Sequence, residues 1–161
     1  MTEAKTLTTA ELREVARSLR AERALWEPLV RATRDQRHYE LLRHDEQVMA
    51  YVISWMDGHD TGFHDHDVSA GAVAVARGKI REERLRVGVP PASRVLAAGD
   101  LLDFQASDIH RVAHQAGEPA VSIHVYSPPL RRTGAYVIEP SGTLRRESLP
   151  YEQELRPLLP A

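Results

Sequence analysis

Cysteine is absent from this 161-residue chain. That excludes disulfides, thiolate-held metals, iron–sulfur clusters and a cysteine nucleophile together. No apolar run approaches the ~20 residues that a membrane-spanning helix requires. The opening MTEAKTLTTAELREVARSLR has no apolar h-region of the kind a signal peptide carries. An excess of either charge is also missing: 21 Lys+Arg stand against 23 Asp+Glu, a formal net charge of −2. A basic field for nucleic acid is therefore not expected. With 9 Gly and 10 Pro, and 42% hydrophobic residues, neither a collagen-like nor a disordered chain fits. The expectation is a cytoplasmic, globular, single domain over 1–161, large enough to bury its own core.

Within it, about 1–34 reads as helical and about 38–147 as a β-barrel. Thr8 or Thr9 can cap a helix whose apolar positions Leu12, Val15, Ala16 and Leu19 recur near the 3.6 period, with Glu11 favouring the dipole in its first turn. Trp26 and Pro28 suggest a break and a second short helix near 26–34. From Tyr39 onward, short β-like runs alternate with turn residues, which predicts strands near 38–43, 48–56, 62–66, 71–77, 79–87, 93–97, 101–104, 110–115, 119–126, 135–139 and 143–147. KIREERLRV alternates apolar and charged like a strand with one wet face. Val89–Pro90–Pro91 and Gly99–Asp100 read as turns, and LPYEQELRPLLPA as a surface extension. Many short strands after helices predict a mainly β protein, a small barrel or sandwich.

Five of the eight histidines fall in GHDTGFHDHD and HRVAHQ. His64 and His66, two apart on a strand, project from one face with Cα atoms about 6–7 Å apart, close enough to converge on a metal. His110 and His124 lie on later strands, so a third ligand can come from across the barrel. Gly58, His64, His66 and Gly78 stand at the spacing of the first cupin motif, with Gly71 in place of its glutamate ligand. Gly99, Gln105, Ser107, His110 and His114 keep the spacing of the second, with only the Gly and His of its pattern retained. Two motifs in register resemble the cupin double-stranded β-helix barrel, here with N-terminal helices. A ligand set of His64, His66 and His110 is wholly neutral, leaving a divalent metal its full charge and an open side. Imidazole suits Zn, Cu, Fe and Ni alike, and three histidines plus water also serve hydrolytic or hydrating zinc enzymes.

WMDGHDTGFHDHDVSAG and HRVAHQAGEPAVSIHVYSPP go further and resemble the cysteine dioxygenase (thiol dioxygenase) family of the cupins, from about Tyr39 to Pro129. The resemblance implies Fe(II) held by His64, His66 and His110, and a Ser122–His124–Tyr126 relay beside it. It implies a small thiol and O2 as partners and a sulfinic acid as product. Ser122, His124 and Tyr126 also share one strand face by their two-residue spacing. A phenol there can hydrogen-bond to the reactants, an imidazole can orient it, and a hydroxyl can fix the imidazole's tautomer. A cupin acting on a non-thiol, or a non-catalytic metal-binding or sensing cupin, are the other readings.

Two departures from the family stand out. Animal members link a cysteine to the tyrosine, and that position is Gly71. The Arg of an early Tyr-x-Arg, which binds the substrate carboxylate, aligns with Leu41 in Tyr39–Glu40–Leu41. A carboxylate taken out of water needs a charged partner. Either Arg43, two residues on, or one of Arg131, Arg132, Arg145 and Arg146 is expected to reach the pocket, or the substrate lacks the carboxylate. Leu41 favours the latter and a less polar thiol.

Overall fold

A computed structural model describes residues 5–160; residues 1–4 of the expected helical segment, and 161, lie outside the described residues. The first helix, α1 (Thr9–Ala21), starts at Thr8, whose hydroxyl accepts from Glu11 N while the Glu11 carboxylate accepts from Thr8 N. This reciprocal cap satisfies two otherwise orphaned amides. Leu12, Ala16 and Leu19, the spacing read from the sequence, are buried. A second helix, α2 (Arg23–Trp26), and one 3-10 turn, Glu27–Leu29, follow. Helical structure therefore ends before Val30 rather than continuing to 34.

The strands are β1 (His38–His44), β2 (Met49–Trp55), β3 (His64–Asp65), β4 (Ala70–Arg77), β5 (Lys79–Arg86), β6 (Val89–Ala97), β7 (Leu101–Phe104), β8 (His110–His114), β9 (Ala120–Ser127), β10 (Arg132–Ile138) and β11 (Leu144–Pro150). They form two antiparallel sheets of order β1-β2-β9-β4-β7 and β11-β10-β3-β8-β5-β6. Val89, Pro90 and Pro91 belong to β6 rather than to a turn; the chain reverses at Val87–Gly88, where Gly88 has φ +73°. β6 is an edge strand, where a proline's missing N–H costs no ladder bond.

Strand β9 is buried along its whole length, and parity explains why. Val121, Ile123 and Val125 meet Leu12, Ala16 and Trp26 on the helix-covered side, together with Val52 of β2 and Ala72 of β4. Tyr126 faces the barrel interior with Met49, Ile53, Val73 and Phe104. Ser122 and His124 share its parity and therefore its face. Covering one face of the sheet with α1 is what allows β9 to read as an almost continuous apolar run. Among the described residues no helix is long and apolar enough to cross a membrane.

Candidate metal centre and its cavity

Three histidines meet inside the barrel. His64 of β3 pairs directly with His110 of β8, and His66 follows at the end of the short strand. Their ring centroids are 4.8 Å apart for His64–His66, 4.7 Å for His64–His110 and 5.2 Å for His66–His110. One nitrogen from each lies within 4.8 Å of the others. All three rings are buried.

The outer nitrogens differ in their partners. His64 Nδ1 donates to Gly62 O at 2.9 Å, and His110 Nδ1 donates to the Glu82 carboxylate at 2.7 Å. His66 Nδ1 is buried with no hydrogen-bond partner. Burial, reinforced by repulsion from His110, holds the pKa of His64 well below the usual histidine value; burial and both neighbours do the same at His66. Both rings are therefore neutral, with lone pairs available. Buried imidazole lone pairs gathered without a carboxylate or a donor between them are costly alone and suited to a divalent cation. The residues fit a metal.

Gly71 cannot offer a ligand. A Cβ there would overlap the ring of Phe104 and approach Val125 O at 2.8 Å.

A hydrogen-bonded chain runs along β9 beside the cluster. Trp55 Nε1 donates to Ser122 Oγ at 2.8 Å, Ser122 Oγ lies 2.7 Å from His124 Nε2, and His124 Nδ1 lies 3.3 Å from the Tyr126 hydroxyl. Burial lowers the pKa of His124 to about 3 and raises that of the Tyr126 phenol well above its usual range. The Tyr126 ring centroid is 5.2 Å from that of His66. The histidine cluster and, from the hydrogen-bonded chain, Trp55, His124 and Tyr126 border one cavity of about 530 Å³.

The expected carboxylate site is corrected by the structure. Tyr39 lines this cavity, but Leu41 is about half exposed and lies outside it, as does Arg43, whose Nε donates to Asp45 at 2.7 Å. A bulge between Leu41 and Arg43 breaks the register, so Leu41 opposes Tyr51 but Arg43 opposes Ala50. Arg43 thus leaves the face that simple two-residue alternation gives it. The later arginines are engaged elsewhere too. Arg146 grips Asp65, Arg145 bonds Glu139, Arg132 bonds Ser148, and Arg131 is exposed. None of these four lines the cavity.

The arginine in the cavity is Arg37, only 2% exposed. It lies over Trp55 at 5.1 Å and Tyr39 at 5.6 Å from the ring centroids. Its Nε donates to the Tyr39 hydroxyl at 2.8 Å and its Nη2 to Leu155 O at 2.5 Å. The parity it shares with Tyr39 was a usable sequence signal.

The chain from Tyr151 to Leu155 also lines the cavity, so the C-terminal segment is no mere surface extension. Glu82 was missed as well. Its parity with Ile80 places it on the dry side of β5, and its side chain is only 3% exposed. His59 and His114 stand apart from the cluster; His114 contacts Asp57 and Glu118 O.

The family model for cysteine dioxygenase type I matches residues 2–138. The chain belongs to that family. Among its relatives are cysteine dioxygenase type 1 of Homo sapiens, 30% identical over 94 residues, and of Danio rerio, 28% identical over 90. Those matches span 53% and 50% of this chain, and 47% and 45% of the relatives. The chain thus matches about half the length of these cysteine dioxygenases. Solved structures share the fold: a protein of Thermus thermophilus (TM-score 0.57, 17% identity, 64% of this chain and 93% of that one) and a cupin superfamily protein of Desulfitobacterium hafniense (TM-score 0.55, 16% identity, 64% and 87%). The expected cupin double-stranded β-helix with N-terminal helices is therefore the fold of this chain.

Proposed function

We propose that this cysteine dioxygenase family member is an iron(II)-dependent thiol dioxygenase that converts a small thiol and O2 into a sulfinic acid. The observation that carries this reading is that the His64–His66–His110 cluster borders the same pocket as His124 and Tyr126, which Ser122 backs by its hydrogen bond to His124. Bound iron(II) supplies the redox chemistry that joins a thiolate to both atoms of dioxygen. The sulfur gives up four electrons to O2, so no further reductant enters the balance.

The chain's own residues hold and orient the reactants. The Tyr126 phenol, kept protonated by burial, offers a hydrogen bond toward the reacting groups, and His124 holds it in place from Ser122 and Trp55. Arg37 supplies the cation for a substrate carboxylate. Its planar fork suits that group, and its burial makes the interaction strong and selective. The aromatic surfaces of Trp55, Tyr39 and Tyr51 exclude water around a short aliphatic body. A carboxylate-bearing small thiol is therefore the substrate class, in place of the less polar thiol that Leu41 suggested.

The test is oxygen consumption and product identification with iron-loaded protein, using L-cysteine, 3-mercaptopropionate and cysteamine. Thiol-dependent O2 uptake with formation of the sulfinic acid, greater for the two carboxylates, is expected. Absence of uptake with every thiol overturns the reading.

A further inference from the structure

The three histidines are chemically similar in sequence but not in the contacts of their outer nitrogens. His64 leans on a neutral carbonyl, His66 Nδ1 on nothing, and His110 on a buried carboxylate. Position 71, where the cupin pattern would place a charged ligand, is a glycine with no room for a side chain.

We propose that Glu82 is a positioning residue for the metal centre, supplying through His110 the negative charge that no direct ligand supplies. This rests on the three-histidine metal site described above. Glu82 and His110 sit diagonally on paired strands, with Arg84 opposite His110 and Glu82 opposite Val112. Their side chains meet on the interior face. The Glu82 carboxylate accepts from His110 Nδ1 at 2.7 Å, from Arg84 Nη2 at 2.9 Å and from Arg94 Nε at 3.1 Å. A carboxylate held on both oxygens cannot swing away, so the hydrogen bond fixes the ring plane of His110. It also fixes the tautomer, with the proton on Nδ1 and the lone pair on Nε2. The partial transfer of negative charge makes that nitrogen a stronger donor than its two neighbours. A glutamate at this depth is rare without such a task or a compensating pair.

The competing account is that Glu82 only neutralises Arg84 and Arg94. The two accounts differ in what removing the charge does to the metal. Co(II) is titrated into native protein, Glu82→Gln, Glu82→Asp and Arg94→Gln, following the visible ligand-field bands. Thermal unfolding of the metal-free proteins is measured in parallel, and the midpoint potential of the iron-loaded forms is recorded. Glu82→Gln should weaken Co(II) binding by about 10–100-fold, shift the bands and raise the iron potential. Glu82→Asp, which retracts the charge without removing it, should fall between that variant and native protein. Arg94→Gln should stay within about twofold of native, because it leaves the His110 bond in place. If Glu82→Gln does not fold, Glu82→Asp carries the test through the same bands and potential. Unchanged affinity, bands and potential in Glu82 variants that fold overturn the proposal, while native binding leaves the metal site standing. Equal losses in Arg94→Gln also overturn it in favour of a salt-bridge role. Failure of native protein to bind Co(II) or Fe(II) overturns the metal site itself.

Discussion

Gly71 lies directly opposite Tyr126 in the pairing of β4 with β9, and the ring of Phe104 fills the space its side chain would need. Two consequences follow from that contact. Position 71 has no room for a carboxylate or thiol, so no side chain there meets the Tyr126 phenol. Phe104 also stacks on His66 at 4.2 Å between centroids, so the ring that closes position 71 also braces a histidine of the candidate metal centre.

Gly71→Ala should destabilise the protein by about 1–3 kcal/mol through overpacking against Phe104 and the Val125 carbonyl. Adding Phe104→Leu should recover part of that loss. Urea unfolding of the metal-free proteins checks it; a neutral Gly71→Ala would show that the ring yields freely.

His110→Ala should abolish stoichiometric metal binding, because the site keeps only two imidazoles and Glu82, still held by Arg84 and Arg94, loses its link to the centre. Metal content after reconstitution and desalting is the measurement. Full iron occupancy in this variant would remove His110 from the ligand set.

Tyr126→Phe should keep native metal content and lower turnover by about 10²-fold, within the range of a positioned proton donor. His124→Asn should give a smaller loss, since it loosens the phenol without removing it. Steady-state oxygen uptake with matched iron content separates chemistry from metal loss.

Arg37→Gln should raise KM for a carboxylate thiol by roughly 10²-fold, the scale of removing one partner from a buried charge pair. It should leave cysteamine almost unaffected. Arg43→Ala, at an exposed ion pair with Asp45, should change neither. A preference for carboxylate thiols that survives in Arg37→Gln would place the anion elsewhere.

Acid should weaken the metal-free protein earlier than ordinary carboxylate titration does. His124 is buried neutral with a pKa lowered to about 3 from 6.5. The unfolded chain therefore takes up a proton that the folded chain refuses. Its contribution is intact above pH 6.5 and shrinks as pH falls toward 3, at about 1.4 kcal/mol per pH unit. Asp60 and Asp65 act in the same direction lower down: burial raises them, but hydrogen bonds from Arg111 and Arg146 outweigh it and hold both low. Urea midpoints should decline between about pH 7 and pH 5 with unchanged slope. A flat profile there would mean that His124 is not held neutral.

Much of the site was legible because its pattern is local. His64-x-His66 and Ser122-x-His124-x-Tyr126 owe their common faces to the two-residue period of extended chain, which needs no knowledge of neighbouring strands. The capped first helix, with Thr8 bonded to Glu11 and Leu12, Ala16 and Leu19 on one stripe, is local in the same way. What the sequence did not reveal depends on contacts between distant segments. A bulge after Leu41 turns Arg43 out of the cavity, and Arg37 becomes its cation only where Trp55, Tyr39 and the returning Leu155 enclose it. Glu82 shares the parity of the buried Ile80, but its partner is not evident until β8 brings His110 beside it. Gly71 is a mere gap in a motif until Phe104, from β7, fills the space. Sequence alone determined which side chains can share a face, because alternation is a property of the backbone. Tertiary structure decided which face meets the cavity and with what partners, because register, bulges and chain returns are set by packing between segments far apart in the chain.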